Sequence, residues 1–344
     1  MREGIAYLAF TDRGEALAEK LAAVLGGEAV RAGESVNLGS WTEAAFREKR
    51  ALVYVGAVGI AVRAIAPYLK HKAEDPAVLA VDETGRYVIP LLSGHLGGAN
   101  ALAGELAAVT GGEAVITTAT DLHGVFAVDL WAKRQDMTVR QPERIKTVSA
   151  KLLAGRMILL DCRWRIRGEA PENVRVLPRT AGVREKASPD GFQTEADVSV
   201  DYYDKPSAAL QLVPHILHLG IGCRKGTSAE ALEAGLDGFC RERSILPEAI
   251  RSAASIDLKS GEEGLLRFCG KHGWPIRFYT AEELGRAEGS FSGSDFVRSV
   301  AGVDNVCERA AVLKSSGKLR ETKYAQDGVT FALAEEEASF DWSW

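Results

Sequence analysis

The chain has 344 residues, 46% apolar and 26% charged, the balance of a globular protein with two or three cores. Its net charge of −5 sets up no overall field to draw in DNA or RNA. No apolar run approaches the roughly 18 residues of a membrane span. The five cysteines, Cys162, Cys223, Cys240, Cys269 and Cys307, are scattered without a C-x-x-C pair, which argues for reduced thiols in a cytoplasm and against structural zinc.

Residues 4–10 (GIAYLAF) form a first strand, cut off by Thr11, Asp12 and Arg13, rather than a signal peptide. Residues 14–25 have helical periodicity, with Gly26 and Gly27 as a stop. A strand at 51–55 and a helix at 60–69 follow, then two short strands at 77–81 and 87–92 around a turn at 82–86. Beyond a glycine-rich loop come a helix near 100–109, a strand at 114–116 and a helix near 126–133. Residues 138–210 differ, with Pro142, Pro171, Pro178, Pro189 and Pro206, many charges and only short apolar runs. They predict a small middle module ending in a linker near 201–207.

Alternation then resumes with a strand at 215–222 and capping-box spacing of Thr227 and Glu230 before a helix. A strand at 253–257, a helix at 262–271 and a strand at 276–279 follow, then a second capping box at Thr280 and Glu283. A helix at 303–313 and a hairpin of 318–324 with 328–333, across 325–327, complete the pattern. The tail EEEASFDWSW is expected to fray, unless its tryptophans dock on a surface. The predicted fold is α/β: two α/β domains with mainly parallel sheets, 1–137 and 211–344, joined by a small middle module, 138–210.

Three places share one pattern of apolar strand, glycine-bearing loop and helix: 54–60 (YVGAVGI), 93–100 (SGHLGGAN) and 220–228 (GIGCRKGTS). In open α/β sheets ligands sit beyond the carboxyl ends of strands, where helix N-termini suit anions. Arg224, Lys225, Thr227 and Ser228 outline a polyanion site in the third loop. Tight turns and close helix–sheet packing would also explain the glycines. GAVGIAVRA lacks G-x-G-x-x-G spacing and KGTS is not G-K-[ST], so neither nucleotide signature fits. No G-x-S-x-G elbow supports serine-esterase chemistry.

His95 has only Leu96 as a bulky loop neighbour, so its ring can face a ligand as general acid or base or as an axial metal ligand, or bond a loop carbonyl. The run TTATD, ending at Asp121 before His123, should reach the same sheet edge. His215 and His218, three apart on a strand, face opposite ways and make a poor metal pair. His71 and His272 are expected on the surface. Asp82 and Glu83 occupy a turn, and Asp75 precedes Pro76 as a turn former.

The succession YVGAVGIAVRAIAPYL, KAEDPAVLAVDETG, LLSGHLGGAN and VITTATD, then LGIGCRKGTSAEAL, SIDLKSGEEGLL, GVDNVCERAA and Lys323 before GVTFALA, resembles the CbiG family over nearly the whole chain. That family comprises the cobalt-precorrin-5A hydrolases of the anaerobic cobalamin pathway. The resemblance implies a cobalt tetrapyrrole substrate with a δ-lactone on ring A. Water opens the lactone and the two-carbon bridge leaves as acetaldehyde, giving cobalt-precorrin-5B. It assigns His95 to acid/base work, with Glu83 and Asp121 orienting water or the His95 ring. Arg63, Asn100, Arg224, Lys225, Thr227 and Ser228 would hold substrate carboxylates, while Gly94, Gly97, Gly98 and Gly222 let the flat ring approach the backbone. Gly97 and Gly98 N–H groups would face the oxyanion, in a cleft between the two α/β domains.

The cobalt comes with the substrate, so no cofactor and no metal site of the protein's own are expected. Handover to neighbouring pathway enzymes is implied, with no nucleic-acid or membrane partner, and the oligomeric state is left open. Where the family often has a basic residue near the start of the 214–222 strand, this sequence has PHILHLG, with His215 as a substitute. The alternative is a non-catalytic carrier of corrinoid intermediates, since the C-terminal loops hold cations but no obvious base.

Overall fold

Apolar runs at 5–9, 51–55 and 77–81 are buried along their whole length, as expected of central strands covered on both faces. The computed structural model describes residues 3–70, 74–95, 97–178, 196–204 and 209–344. His71, Leu96, Pro189, Pro206 and positions 205–207 of the expected linker lie outside the described residues. Two units are distinguished, Met1–Leu130 and Trp131–Trp344. Among the described residues no helix is long and apolar enough to cross a membrane.

The first unit runs β1 (Ile5–Ala9), α1 (Asp12–Leu25), β2 (Glu28–Arg31), α2 (Leu38–Glu48), β3 (Ala51–Val55), α3 (Val58–Ile65), β4 (Ala77–Val81), β5 (Tyr87–Leu92), α4 (Ala99–Thr110), β6 (Glu113–Ala114) and α5 (Ala119–Leu122). Helix α6 (Val128–Arg134) begins at its end. Thr11 caps α1 by accepting from the Gly14 N–H at 3.0 Å. Strand β2 and helix α2 escape the periodicity: β2 is a half-exposed edge, and Gly39, Ser40 and Thr42 dilute the helical signal of α2. Asn37 caps α2 through the Ser40 N–H.

The sheet order is β2-β1-β3-β4-β5-β6. Strands β1 to β4 are parallel, β5 is antiparallel to β4, and β6 is parallel to β5. The cause is the turn at 82–86, too short for a parallel crossover. Asp82 accepts from the Thr84 and Tyr87 N–H groups, and Gly85 takes a φ of 73°. Consequently the 93–100 loop leaves β5 at the edge where β4 begins, and the Ser93 hydroxyl donates to the Asp75 carbonyl at 2.9 Å. The expected common carboxyl edge for 54–60 and 93–100 is therefore corrected: the two loops lie at opposite edges of this sheet.

The second unit begins with β7 (Met137–Val139), α7 (Ile145–Leu153), β8 (Ile158–Cys162), β9 (Ile166–Arg167), β10 (Val174–Val176), β11 (Val198–Val200) and β12 (Leu210–Pro214). Its first sheet is ordered β10-β8-β11-β12-β7. There follow β13 (Leu217–Cys223), α8 (Ala229–Arg243), β14 (Ile250–Ile256), α9 (Glu263–His272), β15 (Ile276–Tyr279), α10 (Ala281–Gly285), α11 (Asp295–Ala301), α12 (Cys307–Ser315), β16 (Lys318–Gln326), β17 (Val329–Glu335) and β18 (Phe340–Asp341). The second sheet is ordered β15-β14-β13-β17-β16. In it β13, β14 and β15 are parallel, while β17 is antiparallel to both β13 and β16. Phe239, Phe268 and Phe331 pack in its core. Gly220 lets α12 lie on β13, because a Cβ there would sit 1.7 Å from the Cys307 carbonyl oxygen.

Four local expectations change. Ser228, not Thr227, caps α8 by accepting from the Ala231 N–H. Helix α12 starts at Cys307 rather than 303, because the Asn305 side-chain oxygen accepts the Glu308 N–H at 2.9 Å and turns the preceding chain away. The hairpin turns at Asp327 and Gly328, with φ of 49° and 84°, the conformation of a type I′ loop. The tail is pinned: β18 pairs with β9, and Trp342 stacks on buried Trp131 with centroids 5.5 Å apart. The capping box at Thr280 and Glu283 is present as expected.

Candidate functional site

Because β6 is parallel to β5, the two strands end at one edge and bring the TTATD segment to the 93–100 loop. The His95 ring lies between two carboxylates. Nδ1 is 3.2 Å from Asp129 Oδ2, and Nε2 is 2.9 Å from Asp121 Oδ2. Thr120 Oγ1 is 3.3 Å from Nε2. Asn100 Nδ2 donates to Asp121 Oδ2 at 2.8 Å and to Thr118 Oγ1 at 3.0 Å, which fixes the acid. Asp129, on α6, is buried, while the Asp121 side chain retains 32% exposure.

Carboxylates accept and cannot donate when ionised, so two of them demand N–H on both ring nitrogens. The hydrogen bond to Asp129 is the main cause that raises the His95 pKa from 6.5 to about 9, against burial that lowers it. His95 is an imidazolium at neutral pH. It is a proton donor there, with Asp121 as its solvent-facing partner.

The loop glycines serve its closure. A Cβ at Gly97 would lie 2.3 Å from Ser93 Cβ, and one at Gly94 would lie 2.7 Å from Asn100 Oδ1. The Gly98 N–H, proposed for an oxyanion, already donates to the His95 carbonyl at 2.9 Å. Ala99 and Asn100 N–H groups are likewise engaged by Ser93 and Gly94 carbonyls.

Glu83 does not orient the His95 ring. It follows β4, accepts from Thr11 Oγ1 at 2.9 Å and lies a strand length away, on the order of 15 Å. Arg63, on α3 after β3, turns its guanidinium to the Gly59 carbonyl and also belongs with the opposite edge. His123 caps α5 and is exposed. Asp129 and Thr120 were not singled out by spacing. Asp129 is 34 residues from His95 and lies in a run, VFAVDL, that looks like core.

In the second unit the 223–228 loop, the end of β14 and the β16–β17 hairpin surround a cavity of about 630 Å³. This is the carboxyl edge of β13 and β14, where open α/β sheets bind ligands. Gly222, Arg224 and Lys225 line it, as do Lys259 and Lys323, while Thr227 and Ser228 do not. Thr227 donates its hydroxyl to the Arg224 carbonyl at 2.8 Å, and Ser228 spends its oxygen on α8. His215, the expected basic substitute, is held by Asp136 and Thr138. His272 is held by Glu233. Ser252, His218 and Glu336 have hydrogen-bond spacing suggestive of a triad, 2.7 and 2.9 Å, but Ser252 is 1% exposed and cannot meet a substrate. Burial lowers the His218 pKa.

The first unit thus carries a doubly held imidazolium and the second a cation-bearing cavity. The chain belongs to the CbiG family: residues 40–121 match Cobalamin synthesis G N-terminal, 126–214 the Cobalamin biosynthesis central region and 217–334 Cobalamin synthesis G C-terminus. It is 34% identical to the cobalt-precorrin-5A hydrolase of Salmonella typhimurium, over 96% of this chain and 97% of that protein. The cobalt-precorrin-5A hydrolase of Priestia megaterium is 32% identical, over 84% of this chain and 79% of that protein. The solved structure of CobE, a protein from the cobalamin (vitamin B12) biosynthetic pathway, aligns at 30% identity and a TM-score of 0.34, over 36% of this chain and 92% of CobE.

Proposed function

We propose that this chain is a cobalt-precorrin-5A hydrolase, opening the ring A δ-lactone and releasing acetaldehyde to give cobalt-precorrin-5B. The observation that carries the reading is His95 held charged between Asp129 and Asp121, in a chain whose near full-length relative bears that activity in its name. Water adds to the lactone carbonyl as Asp121 takes its proton, and the acyl C–O bond breaks. A carboxylic acid and a bridge alkoxide result, the acid giving up its proton to solvent water, while the His95 Nε2–H holds Asp121 for the transfer. The alkoxide becomes the aldehyde carbonyl as the bridge carbon leaves the ring. The conjugated cobalt macrocycle receives the electron pair and then a proton, so the protein needs no cofactor of its own. Asn100 keeps Asp121 in place.

The test incubates the full chain with cobalt-precorrin-5A and measures acetaldehyde. His95→Gln, which keeps a donor beside Asp129, is expected to lower kcat at least ~100-fold with unchanged circular dichroism. The wild-type rate should decline as pH rises through about 9, where His95 loses its proton. A carrier that binds corrinoids without chemistry is favoured by the cations of the second unit's cavity. Folded protein that returns authentic substrate unchanged would establish the carrier and remove the hydrolase reading.

A further inference from the structure

The cavity at the carboxyl edge of β13 joins apolar wall to uncompensated positive charge. Leu258 and Val300 on its wall are each 64% exposed, a large apolar area to leave in water. Four cations line it against one carboxylate, Asp327, which Gln326 engages at 3.4 Å. Lys259 is paired with Glu262 at 3.1 Å. The side chains of Arg224, Lys225 and Lys323 have no ion-pair or hydrogen-bond partner among the described residues.

Two of these cations are placed by rigid neighbours. The Arg224 stem lies across Gly328, where a Cβ would come within 2.7 Å of its Cδ. Lys323 is anchored through its backbone: its N–H donates to Glu308 Oε1 at 2.7 Å. Glu308 is fully buried and also accepts the Ser292 N–H, the Ser292 hydroxyl and the Asn305 amide. One carboxylate therefore ties three segments bordering the cavity to α12. A buried acid with four donors resists movement of any of them.

We infer that this cavity binds an amphiphilic polycarboxylate: a flat apolar ring against Leu258 and Val300, with carboxylate arms on Arg224, Lys225 and Lys323. The volume suits such a ligand or one edge of a larger one. Identifying the ring with a corrinoid rests on the proposed function, whereas the ligand class rests on the cavity alone. The site is a binding determinant separate from the His95 chemistry.

The full chain is titrated with dicyanocobyrinic acid and with its heptamethyl ester, the same ring with its carboxylates masked, using equilibrium dialysis. The acid is expected to bind at least about tenfold more tightly than the ester, because charge-assisted hydrogen bonds are lost with the arms. Lys323→Met and Arg224→Met should each weaken the acid about tenfold, while Ser228→Ala, outside the cavity lining, leaves it within about twofold. Equal binding of acid and ester, or unaltered binding by both cation variants, overturns the inference. Acetaldehyde release is scored separately, so tight acid binding without turnover removes the hydrolase reading and leaves this site standing.

Discussion

The two units place their glycine loops on sheets of opposite construction. In the first, His95 follows β5, which runs against β4, and its loop lies where β1, β3 and β4 begin. In the second, Arg224 and Lys225 follow β13, which runs with β14 and β15, and their loop lies at the carboxyl edge. Strand, glycine loop and helix look alike in both sequences. The electrostatics diverge too. The charge of His95 is met by two carboxylates, whereas the side chains of Arg224, Lys225 and Lys323 in the second unit's cavity have no partner among the described residues. A satisfied cluster can relay a proton, and an unsatisfied one attracts an anion.

The largest expected effect separates packing glycines from site glycines. Gly220→Ala places a Cβ 1.7 Å from the Cys307 carbonyl, so α12 must leave β13, at about 3 kcal/mol or more. Gly94→Ala meets only the Asn100 amide, a side chain that can rotate. It should cost about 1 kcal/mol in urea denaturation yet free Asp121 from Asn100 and slow turnover. If Gly94→Ala destabilises as much as Gly220→Ala, the two loops are not distinguished in this way.

The next effect is the pH dependence of stability, which should have opposite signs in the two units. The raised His95 pKa makes its pairing fully effective below 6.5 and lost as pH climbs through about 9, a change on the order of 3 kcal/mol. His218 has a lowered pKa, so its contribution is present above 6.5 and falls as acid charges the buried ring. Hydrogen exchange across pH should show the first unit loosening in alkali and β13 loosening in acid. Asp129→Asn should flatten the alkaline loss and shift the His95 proton resonance titration downward. Unchanged titration in that variant would remove Asp129 as the cause.

These contrasts mark what the sequence could convey. Buried central strands were legible because apolar runs at 51–55 and 77–81 are covered on both faces. The meeting of His95 and Asp121 at one edge was legible, because both sit in polar loops that follow neighbouring strands. The short turn at 82–86 already implied antiparallel strands, but the expected common edge ignored that the 93–100 loop then leaves at the edge opposite the 82–86 turn. That single reversal placed Glu83 on the wrong edge in the sequence-based expectation. Asp129 was hidden because its role depends on where α6 starts, not on local spacing. Lys259 lies in the SIDLKSGEEGLL segment that carries the family resemblance, but spacing alone gave it no place at a ligand cavity.

The smallest effect tests whether loop hydroxyls hold ligand or hold the fold. Ser228 has extended backbone and accepts the Ala231 N–H at 3.2 Å, so Ser228→Ala should cost about 1 kcal/mol of second-unit stability. Its oxygen is already committed to α8, and it does not line the cavity. Cobyrinic acid affinity should therefore stay within about twofold, since a helix cap lost without a shift of the loop removes no ligand contact. Thr227→Val gives the sharper comparison. It removes the hydroxyl that holds the Arg224 carbonyl at 2.8 Å, so affinity should fall more than stability does. A tenfold loss of affinity in Ser228→Ala at unchanged stability would make Ser228 a ligand contact, and the anion site would then extend from the cationic side chains onto the start of α8.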